Sequence, residues 1–180
     1  MRLRIQGFLG NARINLQVDI GFGDDIVPEP YRSLYPALLD FPAPALKGYT
    51  RESTIAEKFQ AMIKLGVLNS RMKDFYDIWL LSRSFDFSGK ILARAIFQTF
   101  SNRNTLISAE PAIFDPSFVQ DRSKSRQWKG FIRKAKLVNV PENFEDVVEA
   151  VRVFLGPLTA ALARGQSFHS TWYAPGPWCE

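Results

Sequence analysis

Between residues 21 and 48 the chain carries Gly21, Gly23, Pro28, Pro30, Pro36, Pro42, Pro44 and Gly48. No long helix survives that density of breakers, so only short extended pieces can lie there. The segment separates two regimes of hydrophobic periodicity. Ahead of it, residues 3–9 and 13–22 alternate. In the second run Ile14, Leu16, Val18, Ile20 and Phe22 share one face, and Arg13, Asn15, Gln17 and Asp19 share the other. Gly10-Asn11 between them tolerates the positive φ of a tight turn, which predicts a β-hairpin with one apolar and one polar face.

Behind the breakers the period changes to that of a helix. Thr54 with Glu57 fits a capping box near Ser53. Ile55, Phe59, Met62 and Ile63 then form a stripe, and Gly66 is a stop. A second helix is expected from about Met72 to Ser84, burying Phe75, Ile78, Trp79 and Leu81. A third follows a cap at Ser88, with Ile91, Leu92, Ala95, Ile96 and Phe100. Asp115-Pro116 reads as a cap and first turn, opening helical segments up to about Lys136. Pro141 opens another helix. Glu142, Glu145 and Asp146 lie at its positive end, and Val147, Val148, Val151, Phe154 and Leu155 form its core face; Gly156-Pro157 should kink or split it. From Gly165 the periodicity is lost. The expected fold is α+β, a small β start followed by a helical body, with one incomplete domain over residues 1–164 and a poorly ordered tail over 165–180.

The 180 residues suffice for one packed domain. A net charge of +5 permits a phosphate-bearing partner without demanding one. Cys179 and His169 are the only residues of their types, which excludes zinc fingers, iron–sulfur clusters and disulfide frameworks. Metal chemistry would have to use oxygen ligands. No apolar run approaches the ~18 residues of a membrane span, and the start lacks a signal-peptide core, so a cytoplasmic protein is expected.

Three sets of residues could carry chemistry. Asp19, on the polar face of the second strand and just before a glycine-rich turn, is placed like a magnesium ligand of a phosphoryl-transfer site. The plainer reading pairs it with Arg13 or Arg4 across the hairpin; Asp24 and Asp25 are ordinary turn acids. In STIAEKFQAMIKLG, Lys58 borders the apolar stripe, where it can snorkel or deliver a point charge to a phosphate. In NSRMKDFYDIW, Arg71, Lys73, Asp74 and Asp77 are dense; Lys73 and Asp77 are four apart, and Asp74 and Asp77 share a face. They also read as surface charges favoured by the helix dipole. The third set is a basic run with no acid from 122 to 141. Arg122, Arg126, Lys129 and Arg133 fall on one side of a helix as a ridge suited to nucleic-acid phosphates, with Trp128 and Phe131 interleaved. The alternative is a solvated face anchored by those two rings.

In order and spacing, VDIGFGD, ESTIAEKFQAMIKLG and NSRMKDFYDIW resemble the nucleotidyl transferase AbiEii/AbiGii toxin family, through about residue 160. The resemblance implies a polymerase-β-like nucleotidyltransferase fold. It also implies transfer of a nucleotide from an NTP, with Mg²⁺, to an RNA (in some relatives the 3′ end of tRNA) or protein acceptor, and a cognate antitoxin as partner. On it, Asp19 is the third metal-site carboxylate and Lys58 faces the triphosphate. Asp74 or Asp77, with Lys73 and Arg71 nearby, completes the acid/base set; the sequence leaves open which acid. Placing an RNA acceptor on Arg122, Arg126, Lys129 and Arg133 extends the resemblance. One departure counts against it: the family's Gly-Ser turn and Asp-x-Asp pair are absent from the 18 residues before Asp19. The chain therefore resembles the C-terminal part of such an enzyme, and weak or no transfer is expected of it. The alternative is a catalytically dead module that binds RNA or antitoxin.

Overall fold

The computed structural model describes residues 1–22 and 26–180; Asp24 and Asp25 lie outside them. The chain opens with β1 (Arg2–Leu9) and β2 (Ala12–Asp19), antiparallel about a turn at Gly10, whose φ is +57°. The register sets Leu3 against Val18 and Ile5 against Leu16 on one face, and Arg2 against Asp19 and Arg4 against Gln17 on the other. Both faces are largely exposed, Leu16 at 55%. A second ladder, β3 (Tyr31–Leu34) with β4 (Ala45–Gly48), occupies the breaker-rich segment.

The helical body holds the core. Its six helices are α1 (Arg51–Leu65), α2 (Met72–Ser84), α3 (Gly89–Asn102), α4 (Pro116–Val119), α5 (Arg122–Ala135) and α6 (Phe144–Ala163). α1 packs on α3 and α2, and α2 on α6. Phe59, Phe75, Phe100, Trp128, Phe144 and Phe154 fill the space between them. Phe75 meets Phe118 and Phe144 at centroid separations of 6.0 and 5.0 Å. No described helix is long and apolar enough to cross a membrane.

α2 has the ends that its periodicity predicts, and Asp115 caps α4 by accepting the Ser117 N–H at 2.8 Å. Three expectations are corrected. α1 starts earlier than Ser53: Thr50 is its cap, accepting the Ser53 N–H at 3.1 Å, while Glu57 pairs with Arg103 instead of closing a capping box. α6 begins at Phe144 and runs unbroken through Gly156-Pro157, where packing on both sides of the proline outweighs the lost backbone donor. The third concerns residues 165–180, expected to be a poorly ordered tail. They return to the body as β6 (Thr171–Trp172) and β7 (Trp178–Cys179), joined to β5 (Phe87–Ser88) in a three-stranded sheet. Trp172 is 2% exposed, and its indole N–H donates to the Ser82 carbonyl at 2.6 Å; that of Trp178 donates to the Phe154 carbonyl at 2.8 Å. Burial of indole surface, with each N–H satisfied, holds a segment that lacks helical periodicity.

Candidate functional site

The stripe Ile55, Phe59 and Met62 turns one face of α1 into the core and leaves Lys58 at its edge, beside the first turn of α2. Asn69, fully buried, sets that turn by accepting the Arg71 N–H at 2.8 Å. Lys58 Nζ then lies 3.0 Å from Asp74 Oδ1 and 2.6 Å from Asp77 Oδ2. Asp77 Oδ2 also receives Lys73 Nζ at 2.6 Å, and Arg71 Nη1 stands 3.5 Å from Asp74 Oδ2. The structure thus gathers Lys58, Arg71, Lys73, Asp74 and Asp77 into one network.

The network is half-closed: the side chains of Lys58, Asp74 and Asp77 are 20%, 11% and 17% exposed. Burial alone would disfavour the Lys58 ammonium, but the hydrogen bonds and charges of Asp77 and Asp74 outweigh it and raise its pKa above the ordinary 10.5. Asp74 Oδ2 and Asn69 Nδ2 are buried atoms with no hydrogen-bond partner; Arg71 neutralises Asp74 Oδ2 from ion-pair range without bonding it. Three cations meet two carboxylates, leaving one positive charge over. An ammonium has three donors, and Asp74 and Asp77 engage two of those of Lys58.

Lys124, part of the basic run in sequence, is not on its ridge. It is 5% exposed, its Nζ donates to the Val67 and Asn69 carbonyls at 2.8 and 2.7 Å, and it sits 4.8 Å from the Phe118 ring centroid. It fastens α5 to the joint between α1 and α2, directly before the network. Sequence reasoning missed it, although its spacing of four from Trp128, another core residue, places both on one helix face. Arg122, Arg126, Lys129 and Arg133 are exposed or half-exposed, as the helical wheel requires, and none has an ion pair among the described residues. Trp128 is a core residue, its indole donating to the Pro141 carbonyl at 2.9 Å.

Asp19 does not join the network. Its carboxylate binds Arg2 Nε at 2.6 Å and Gln17 Nε2 at 3.1 Å, and the Arg2 hydrogen bond lowers its pKa below the usual carboxylate value. The register decides the partner: Arg4 and Arg13 stand opposite Gln17 and Phe8. A cavity of about 810 Å³ lies elsewhere, between residues 26–30 and Lys90 and Arg94 of α3.

Residues 1–150 match the family model of the AbiEii nucleotidyl transferase toxin of type IV toxin–antitoxin systems. The chain belongs to the AbiEii toxin family. At family level it is a nucleotidyltransferase-like toxin, and the type IV system implies a cognate antitoxin. No curated protein and no solved structure matches the chain. Nucleotidyltransferases generally use a divalent metal, but the described residues of this AbiEii-family chain do not fit one. No three acids, histidines or cysteines among them converge, Asp19 is held by Arg2, and Asp74 and Asp77 are held by cations.

Proposed function

We propose that this AbiEii-family protein binds the triphosphate of an NTP at Lys58 and accepts RNA on α5. The observation that carries this reading is the fixed Lys58 ammonium, held by two carboxylates in a network where three cations meet two acids. Asp74 and Asp77 hold Lys58 in place, Asp74 through Oδ1 while its Oδ2 is buried beside Arg71. Lys73 and Arg71, more than half exposed, add charge on the solvent side for phosphate oxygens. Lys58, Lys73 and Arg71 supply the protein's own positive charge to the phosphates.

Calorimetry of NTP with the folded protein, with and without magnesium, tests the reading. Binding is expected, and Lys58→Met should abolish it. Asp19→Asn should leave it unchanged, because that carboxylate is exposed and paired within the hairpin. NTP binding that ignores Lys58→Met would refute the assignment. A second reading, a binding module without catalysis, draws on the four ridge cations and on carboxylates already held by cations. It predicts RNA or antitoxin binding with no NTP heat.

A further inference from the structure

α6 carries two apolar faces. Val147, Val148, Val151, Phe154, Leu155 and Leu158 are buried in the core. Val153, Gly156, Pro157 and Ala160 fall at i, i+3, i+4 and i+7, the spacing of a second packing stripe. Yet Val153 is 42% exposed, Pro157 is exposed, and Gly156 and Ala160 are only half-buried. A helix apolar round most of its circumference is normally enclosed. The stripe is one wall of a groove of about 720 Å³, and the other wall is the 3₁₀ turn Ala112–Phe114 with the start of α4. Through Phe114, Pro116 and Arg152 the groove continues into a hollow of about 310 Å³ beside Glu145 and Val148. From Glu145 to Ala160 it follows α6 for about 22 Å.

The charge of the groove is opposite to that of the chain. Glu110, Asp115, Glu145 and Glu149 line it against Arg152, four negative charges and one positive, on a protein of net charge +5. Arg152 is engaged by Glu149 at 2.7 Å. Glu110, Asp115 and Glu145 have no ion pair among the described residues. The backbone adds an acceptor. Pro157 has no N–H, so the Val153 carbonyl, which points along the axis toward it, lacks its helical donor on the side where both residues line the groove.

We infer that this groove docks a basic amphipathic helix of a partner protein, its apolar side chains on the stripe from Val153 to Ala160 and its lysines or arginines toward Glu110, Asp115 and Glu145. The length suits about four helical turns. Gly156 and Ala160 let the partner's backbone come close, since interaxial distance is set by the side chains at the contact. α5 of a second copy is basic too, but its Trp128 is buried in its own core, so it has no apolar face to give. The stripe lies wholly past residue 150, outside the family match, and no residue of the Lys58 network lines the groove, so the docking does not rest on the NTP and RNA reading.

The test is fluorescence anisotropy with a labelled model peptide of leucines and lysines in amphipathic order. Controls are the same residues scrambled and a leucine–glutamate peptide of the same pattern. The ordered basic peptide is expected to bind, several-fold more weakly at high salt, and the controls are not. Val153→Arg puts a cation on the stripe and should weaken binding by roughly tenfold, the scale of one lost central contact. Because Val153 is already partly exposed, this variant should unfold close to wild type. Glu110→Gln with Glu145→Gln, both at exposed positions, should weaken binding several-fold and flatten its salt dependence. No binding of the ordered basic peptide at low salt, equal binding of the scrambled or acidic peptide, or wild-type affinity in both folded variants would overturn the proposal. Light scattering separates the remaining occupant: a concentration-dependent rise in mass that Val153→Arg abolishes would assign the groove to a second copy and overturn the partner named here.

Discussion

Removing Lys58 is the sharpest perturbation of the network. In Lys58→Met the methylene stem is largely kept, so the loss is electrostatic. Asp74 and Asp77, at most 17% exposed, lose the cation 3.0 and 2.6 Å away that holds them together. Breaking a buried ion pair from one side costs about 3–5 kcal/mol. Here Asp77 retains Lys73 at 2.6 Å, Asp74 retains Arg71 at 3.5 Å, and the site is partly wet. The expected loss is therefore about 2–3 kcal/mol, after discounting the full buried-pair cost. For a chain of this length that lowers Tm by roughly 5–10 °C. Adding Asp74→Asn removes one of the two repelling charges and should restore about 1 kcal/mol, a coupling of the usual size for directly contacting residues. Urea denaturation of the wild type, both single variants and the double variant closes the cycle. A Lys58→Met loss below about 0.5 kcal/mol, the level of ordinary surface substitutions, or no rescue by Asp74→Asn, would refute the network as a mechanical unit.

Further outcomes follow from the same contacts. Because the folded state raises the Lys58 pKa, its stabilising contribution is fully present below about pH 10.5 and is lost as pH rises through the folded value. The Tm difference between wild type and Lys58→Met should accordingly shrink in alkaline buffer, and a constant difference would contradict the assignment. Lys124→Met leaves the Val67 and Asn69 carbonyls without their charged donor and should cost about 2–3 kcal/mol, read by thermal unfolding; a neutral result would mean that those carbonyls are solvated. Trp172→Ala should cost about 3–5 kcal/mol if residues 165–180 are part of the core, whereas a dispensable tail would show no change.

Local patterns suffice where the deciding forces are local. The hairpin follows from alternation and Gly10-Asn11, and α2 from a 3.6-residue stripe between breakers. Lys73 with Asp77 is visible as an i,i+4 pair. The start of α1 is not legible in this way, because Thr50 and Thr54 are both competent caps. Ser53, which donates to the Val27 carbonyl at 3.0 Å from the other side of the breaker segment, is engaged by a contact that no window around Thr54 contains.

By itself the sequence determined the α+β plan and the family, because periodicity and motif order are properties of the chain alone. Tertiary structure decided which charges act together. Lys58 and Asp74 are 16 residues apart and meet because two amphipathic helices bury their apolar faces against each other. Lys124 turns inward to satisfy two carbonyls more than fifty residues away, while its neighbours in the same basic run face solvent. Trp172 finds the Ser82 carbonyl across 90 residues. The value of a charge or an indole depends on the dielectric and partners around it, and those are set only when distant segments share one core.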